Sequence, residues 1–349
     1  MILIDPSLDE RWDAFVDRHP WGWVTHLSGW KRALERAFPQ MKGHYLALVD
    51  KYDQIKAGLP LFEVRSALTG NRLVSVPFAT LCDPLVDTGA DLGYLLSVAI
   101  EMARELEVKN LEVRSFRSTS ILSSYGLQAG FRYVNHYLTL NGSQDFLMSS
   151  FHKTAVQQVI RKAQRFNPEI VTHQTNQDLE DFYPLYVATR KKLGLPPQPY
   201  IFFWCVCREL GWDKVTFSTS YIGGKPLASA MFFTYKKRVS CEAVGVEPSV
   251  RNSGMVHLLF WKAIRQAMDE GKEVFDFGRT SKENIGLMTF KARWGTKIEE
   301  LGQFRIYDKR GPSFRKLSPN YIEKARRVCS KLPVPLFEAL GRLCYRHMS

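Results

Sequence analysis

Apolar positions in this chain follow two periods, and the same pairing of periods occurs twice. Leu95, Ala99, Ile100 and Ala103 recur at helical spacing, and after a short turn Leu111-Glu112-Val113-Arg114-Ser115 reads as a strand. Leu259, Ala263, Ile264 and Ala267 recur in the same way ahead of Phe275-Asp276-Phe277-Gly278-Arg279. At one constant offset, Ala99, Ile100, Ala103, Leu111, Glu112 and Val113 align with Ala263, Ile264, Ala267, Phe275, Asp276 and Phe277. A second match precedes each segment. Ala57-Gly58-Leu59-Pro60-Leu61-Phe62 parallels Gly223-Gly224-Lys225-Pro226-Leu227-Ala228, and each reads as a hairpin whose Gly turn leads through Pro-Leu into a strand. Two matches in the same order predict an internal duplication.

Between the repeats, residues 151–165 read as a helix stopped by Asn167-Pro168, with Val156, Val159, Ile160 and Ala163 as its buried stripe. Helices are expected over 178–192 and 200–210, around the rigid loop Leu193-Gly-Leu-Pro196-Pro197-Gln-Pro199. The predicted class is α/β, organised as residues 1–150, residues 151–307 and a basic C-terminal tail, 308–349. In that tail a partly amphipathic helix would suit an anionic surface.

Composition narrows the picture. A chain of 349 residues exceeds one ordinary core, and 45% hydrophobic with 24% charged residues is a globular balance. No apolar run approaches the roughly 18 residues of a membrane span, and Met1-Ile-Leu-Ile-Asp5-Pro6 lacks the basic start of a signal peptide. The expected location is cytoplasmic, with peripheral contact at the inner membrane face. The six cysteines, including Cys205-Val-Cys207, have no zinc-type spacing, so reduced buried thiols are expected and no metal site. The net charge of +13 implies phosphate-bearing partners: nucleic acid, a nucleotide-linked substrate, coenzyme A or an anionic membrane.

Val239-Ser-Cys-Glu242-Ala-Val-Gly245 reads as a buried strand carrying one carboxylate. Arg251, Asn252, Ser253 and Gly254 follow, then a helix. A loop at a helix N-terminus presents free N–H groups and the positive dipole end, which cradle an anion. This stretch resembles the pyrophosphate loop of GCN5-related (GNAT) acyltransferases, with Val256 in place of the last small residue.

A longer block, Phe275-Asp276-Phe277-Gly278-Arg279-Thr280-Ser281 with Gly286-Leu287-Met288-Thr289-Phe290-Lys291-Ala-Arg293-Trp294-Gly295, resembles the C-terminal signature of the FemAB family of peptidoglycan interpeptide-bridge aminoacyltransferases. Pro77-Phe78-Ala79, Glu112-Val113-Arg114-Ser115, Phe182-Tyr183-Pro-Leu-Tyr186, Pro196-Pro197 and Phe202-Phe203 agree in order, to about residue 307. The resemblance implies two tandem GNAT-like domains, each a mixed, largely antiparallel sheet flanked by helices, with a substrate cleft in or between them. It also implies that Lys291, after Phe290, serves transfer. An ammonium there could stabilise the oxyanion formed when an amine attacks an ester or thioester, or hold the donor's phosphate or terminal ribose.

Arg279, at a strand end, is placed to bind a phosphate or carboxylate bidentately, with Asp276 as its expected partner. Tyr186 and Arg190, four apart on one helix, are further substrate-binding candidates, as are Trp30 and Lys31. No tightly bound cofactor is expected; the co-substrate is aminoacyl-tRNA or acyl-coenzyme A. The expected acceptor is an amine of a nucleotide- or lipid-linked cell-envelope precursor, of peptidoglycan or polysaccharide, with tRNA as a further partner; an acyl-coenzyme A-dependent N-acetyltransferase of exopolysaccharide synthesis is the alternative. Gln157 stands where many relatives carry arginine, and no coiled-coil arm interrupts the second half. A non-catalytic GNAT-like binding protein is the competing class, favoured by Val256 and Gln157 and opposed by the intact Phe290-Lys291 and Gly278-Arg279.

Overall fold

The structure is a computed structural model that describes residues 2–108, 110–125, 129–308 and 319–348. The same series of elements runs twice. The first is β1 (Ile2–Ile4), α1 (Arg11–Arg18), α2 (Ser28–Ala37), β2 (Met41–Val49), β3 (Ile55–Val64), β4 (Arg72–Ser75), α3 (Gly89–Glu105), β5 (Asn110–Ser115), α4 (Thr119–Ser124) and β6 (Ala129–Thr139). A link follows, made of α5 (Gln144–Ser150), a π-turn (Lys153–Gln157) and α6 (Gln158–Gln164). The second series is β7 (Glu169–His173), α7 (Asn176–Lys192), α8 (Tyr200–Leu210), β8 (Val215–Ile222), β9 (Lys225–Tyr235), β10 (Arg238–Val246), α9 (Met255–Asp269), β11 (Val274–Ser281), α10 (Ile285–Ala292) and β12 (Lys297–Asp308). Helices α11 (Pro319–Lys331) and α12 (Val334–Arg346) end the chain.

All twelve strands join one sheet, in the order β1-β2-β3-β4-β5-β12-β6-β11-β10-β9-β8-β7. Read inward from either edge the order is the same, so the duplication holds at the level of topology. The halves exchange their last strands: β12 pairs antiparallel with β5, β6 pairs antiparallel with β11, and β6 and β12 pair with each other at the centre. Ladder hydrogen bonds therefore cross between the halves, which ties them into one sheet.

Pairing is parallel at only two places, β4–β5 and β10–β11, and each parallel ladder lasts three residue pairs. Beyond Ser240 and Asp276, β10 and β11 separate. Backbone separation inside a sheet leaves a crevice between strands, and here it opens on the second half.

Side chains alternate between two faces of the sheet. Tyr45 and Ala47 of β2 and Met231 and Phe233 of β9 enter a core shared by α1, α2, α7 and α8. Leu46 and Leu48 point to a second core under α3, and Ala230 and Phe232 to a third under α6 and α9. The shared core is rich in rings: Trp30 meets Phe202 and Phe233 edge-to-face at 6.0 and 5.8 Å.

The structure corrects the paired hairpins. Residues 57–62 lie inside β3, with Pro60 opposite Tyr45, and the turn comes earlier, where Asp53 has φ 61°. Pro226 is the second residue of its strand, which begins at Lys225 after the positive-φ turn Gly223-Gly224. Pro60 is tolerated because the N–H of Gly58, two residues before and on the same side of the strand, bonds Leu85 rather than β2, and the β3–β4 ladder starts only at Leu61. The missing donor faces that gap. The 151–165 helix is also broken into the π-turn and α6. Cys82, Cys205, Cys207 and Cys241 are buried free thiols. Among the described residues no cluster of His, Cys, Asp or Glu could hold a metal ion. No helix described is long and apolar enough to cross a membrane.

Candidate functional site

Two irregularities build the site where β10 and β11 part. The β9–β10 register shifts between Cys241 and Ala243, so Glu242 is the extra, bulged residue. A bulge re-aims its side chain away from the regular alternation. The β6–β11 register shifts between Asp276 and Arg279, and Gly278 there has φ +72°, a left-handed backbone that side chains resist. Glu242 and Gly278 thus face a cavity of about 540 Å³ between the strands.

Lys291, on α10, is 5% exposed and donates from Nζ to the carbonyls of Gly278 at 2.7 Å and Arg279 at 3.2 Å. The bulge at Gly278 therefore fixes the ammonium at the cavity wall. Burial lowers its pKa from the ordinary 10.5 to about 8, against nearby acids including Asp276 and Glu242 that raise it. Glu242 is half-buried and accepts one hydrogen bond from Ser240 Oγ at 2.6 Å. Burial raises its pKa to about 7, with Asp276 adding to the rise and Ser240, Arg279 and Lys291 opposing it. A carboxyl and an ammonium whose pKa values are drawn toward neutrality, in one cavity, suit proton transfer and charge stabilisation.

Arg279 reaches into the same cavity beside Tyr133, whose ring centre lies 5.2 Å from its guanidinium. The residue is exposed and also borders a small pocket shared with Arg114 and Tyr133, yet burial of its guanidinium among these side chains, together with the charge of Arg114, holds its pKa below the usual arginine range. Among the described residues no carboxylate pairs with Arg279. The expected partner, Asp276, is instead engaged by Arg238, Asn135 Nδ2 at 2.8 Å and the Gly278 N–H at 2.7 Å. Asp276 is buried on β11 ahead of the splay, so it braces the strand rather than the arginine.

Tyr186 and Arg190 also line the cavity. Tyr186 lies 3.4 Å from Gln198, and Arg190 donates to the Pro196 carbonyl at 3.0 Å, so both hold the 193–199 loop as well. Phe290 stands over His257 at 5.1 Å between ring centres. It borders both the main cavity and an adjoining one of about 310 Å³ lined by Arg251, Asn252, Gly254 and Val256. The expected anion cradle therefore abuts the cavity. Ser253 instead turns inward, its hydroxyl bonding the Val250 carbonyl and the Met255 N–H.

The link helix presses on this cradle. A Cβ on Gly254 (φ +88°) would lie 2.7 Å from the Val159 carbonyl oxygen, and the His257 ring hydrogen-bonds the Ala155 backbone.

Trp30 and Lys31 are not brought to this cavity. Trp30 is a core residue, and Lys31 pairs with Glu35 at 2.9 Å and Asp5 at 3.3 Å on the first half. Three groups lining the cavity had no role from the sequence. Glu242 was visible as a lone carboxylate in an apolar strand, but its bulge leaves no local signature. Phe78, held at φ +61°, comes from the first half. Tyr345 comes from α12, where it packs on Phe78 and lies 3.4 Å from Arg190. The C-terminal segment is thus a wall of the cavity: Gly341 abuts Pro197, and Arg72 and Gln40 donate to the His347 and Arg346 carbonyls. The tail positions Lys309, Arg310, Arg315 and Lys316 lie outside the described residues.

Residues 150–292 match the sequence family described as Acetyltransferase (GNAT) domain. Among solved structures, a FemX crystal structure superposes with TM-score 0.70 at 15% identity, covering 88% of this chain and 96% of that one. This is a FemAB-like tandem GNAT fold. Also similar are L-PGS from Bacillus licheniformis (TM-score 0.55, 13% identity, 93% of this chain and 98% of that one) and a tandem GNAT protein from the clavulanic acid biosynthesis pathway (TM-score 0.55, 11% identity, 89% and 98%). No curated protein matches the chain in sequence. Within the FemAB-like fold, the exchanged central strands β6 and β12 explain why the two halves form one sheet.

Proposed function

We propose that the chain is an N-acyltransferase that moves an aminoacyl or acyl group onto an amine of a cell-envelope precursor. The observation that carries this reading is the joint placement of Glu242 and Lys291 at the β10–β11 splay, with pKa values near 7 and 8. In the proposed step the acceptor amine attacks the carbonyl carbon of the donor ester or thioester. Glu242, as carboxylate, takes the amine proton; the Lys291 ammonium stabilises the oxyanion; collapse forms the amide and breaks the donor's C–O or C–S bond, and the leaving oxygen or sulfur takes the proton back from Glu242 to depart as hydroxyl or thiol. Direct attack requires positioning and charge stabilisation rather than a covalent enzyme intermediate. Arg279 and Arg190 give the cavity an excess of positive charge, which suits an acceptor bearing a phosphate or carboxylate. The likeness in fold to FemX and to the C-terminal domain of a putative lysylphosphatidylglycerol synthetase supports envelope chemistry.

For the donor, aminoacyl-tRNA is the first reading. The cradle is crowded by Val159 over Gly254 and by Val256, which disfavours a tightly docked pyrophosphate, and the net charge of +13 favours a polyanion. Acyl-coenzyme A is the second, favoured by the way the cradle cavity adjoins the main one at Phe290. A transfer assay offering each labelled donor with candidate amine acceptors, near physiological salt, separates them. Turnover of acyl-coenzyme A without tRNA reverses the donor choice, and no transfer from either leaves the binding-protein class.

A further inference from the structure

The last 42 residues of the chain hold ten Lys/Arg against three Asp/Glu, a surplus of seven out of the total of +13. More than half of the net charge is thus concentrated on the part that contains α11 and α12. Both helices also expose aliphatic side chains. On α12, Phe337, Gly341 and Tyr345 recur at i, i+4, i+8 and face the protein. The opposite face carries Leu336 (59% exposed) and Leu343 (53% exposed), seven apart on one side of the helix, with Arg342 and Arg346 beside them. On α11, Val328 is 63% exposed between Lys324 and Lys331, again at i, i+4, i+7.

We infer that the exposed faces of α11 and α12 dock on an anionic lipid bilayer surface. Aliphatic side chains between long basic ones are the pattern of a helix lying in a membrane interface, with leucines entering the acyl boundary while Arg and Lys reach the headgroups. The other occupants fit less well. An unpaired nucleic acid strand would be gripped by stacking aromatic rings, which the described residues of the outer face lack, and a helical one by phosphate contacts alone, which leave the exposed leucines without a role. A second copy would bring two segments of the same strong positive charge together. Because Tyr345 on the inner face of α12 lines the cavity, docking sets that cavity about one helix diameter, roughly 10 Å, from the lipid surface. The inference stands on the surface alone and does not depend on the acyltransferase reading.

The test is co-sedimentation of the full chain with vesicles of phosphatidylglycerol and phosphatidylcholine, against pure phosphatidylcholine vesicles, with no donor or acceptor present. The expected result is binding to the anionic vesicles that falls as salt is raised, with little binding to the zwitterionic ones. The double variant Leu336→Asp/Leu343→Asp should bind roughly tenfold or more weakly, with an unchanged thermal melt because both side chains are exposed. The variant Lys324→Gln/Arg327→Gln/Lys331→Gln should bind more weakly and show a shallower salt dependence. Unaltered vesicle binding by the leucine variant, equal binding to both vesicle types, or binding of tRNA but not vesicles would each overturn the assignment.

Discussion

Lys291→Met removes one ammonium and keeps a flexible apolar stem, which makes it the sharpest probe of the site. Losing a single preorganised oxyanion contact should lower kcat by about a hundred- to a thousandfold, roughly 3–4 kcal/mol, with a small change in KM. Read from the sequence alone, Lys291 would be a cleft residue whose loss leaves folding nearly intact. Its burial and its two bonds to the Gly278 and Arg279 carbonyls alter that expectation. The folded lysine titrates near 8 rather than 10.5, so between those values the unfolded chain binds more protons. Wild-type stability therefore rises with pH across that window, by about 3 kcal/mol in all, and is without this contribution below pH 8. The methionine variant lacks the rise, so relative to wild type it fares best at or below pH 8 and loses ground toward pH 10.5. Single-turnover transfer of a labelled donor, with thermal melts at pH 7 and pH 10, measures both effects. Undiminished kcat with a lowered Tm would make Lys291 a strut of the β11 bulge. A pH-independent difference in Tm would refute the buried-charge argument.

Three further outcomes follow from the same geometry. Glu242→Gln should stabilise the protein at pH 8 by about 1–3 kcal/mol, because a folded pKa near 7 against 4.5 means the ionised carboxylate is disfavoured once the chain folds; an unchanged melt at pH 8 contradicts that burial. Arg279→Lys should raise the KM for the acceptor roughly tenfold while kcat changes less, since the bidentate fork is lost; equal KM values would remove Arg279 from acceptor binding. Gly254→Ala should cost about 1–3 kcal/mol from its positive φ and the Val159 carbonyl 2.7 Å from the added Cβ; a neutral effect in chemical denaturation would show that α6 yields easily.

The duplication was legible because an amphipathic helix followed by an apolar strand repeats at a fixed offset, and α3–β5 and α9–β11 are those segments. The Pro60–Pro226 pairing misled because a Gly-Leu-Pro-Leu run inside a strand and a Gly-Lys-Pro-Leu run at a turn look alike locally; only the sheet shows that β3 has an unpaired stretch for Pro60. The exchange of β6 and β12 was not legible, since strand neighbours far apart in sequence leave no periodic trace. Phe290, Lys291, Arg279, Tyr186 and Arg190, each offered separately by the sequence, line one cavity. Trp30 and Lys31 came from the resemblance alone, and the structure places them in the core and in ion pairs, away from the cavity. Glu242 needed its bulge to be seen, and Tyr345 needed the docking of a helix that sequence presents only as a basic tail.

The central claim is that Glu242 and Lys291 act together in transfer to an amine, and the pH–rate profile tests it most directly. Transfer from the labelled donor should be followed from pH 5.5 to 9.5 for wild type, Glu242→Gln and Lys291→Met, with each variant's rate divided by that of wild type so that titration of the acceptor amine cancels. Wild type should give a narrow bell with limbs near 7 and 8. The Glu242→Gln variant should lose the acid limb and the Lys291→Met variant the alkaline one. If both limbs persist in both variants, other groups carry the chemistry and the account is wrong.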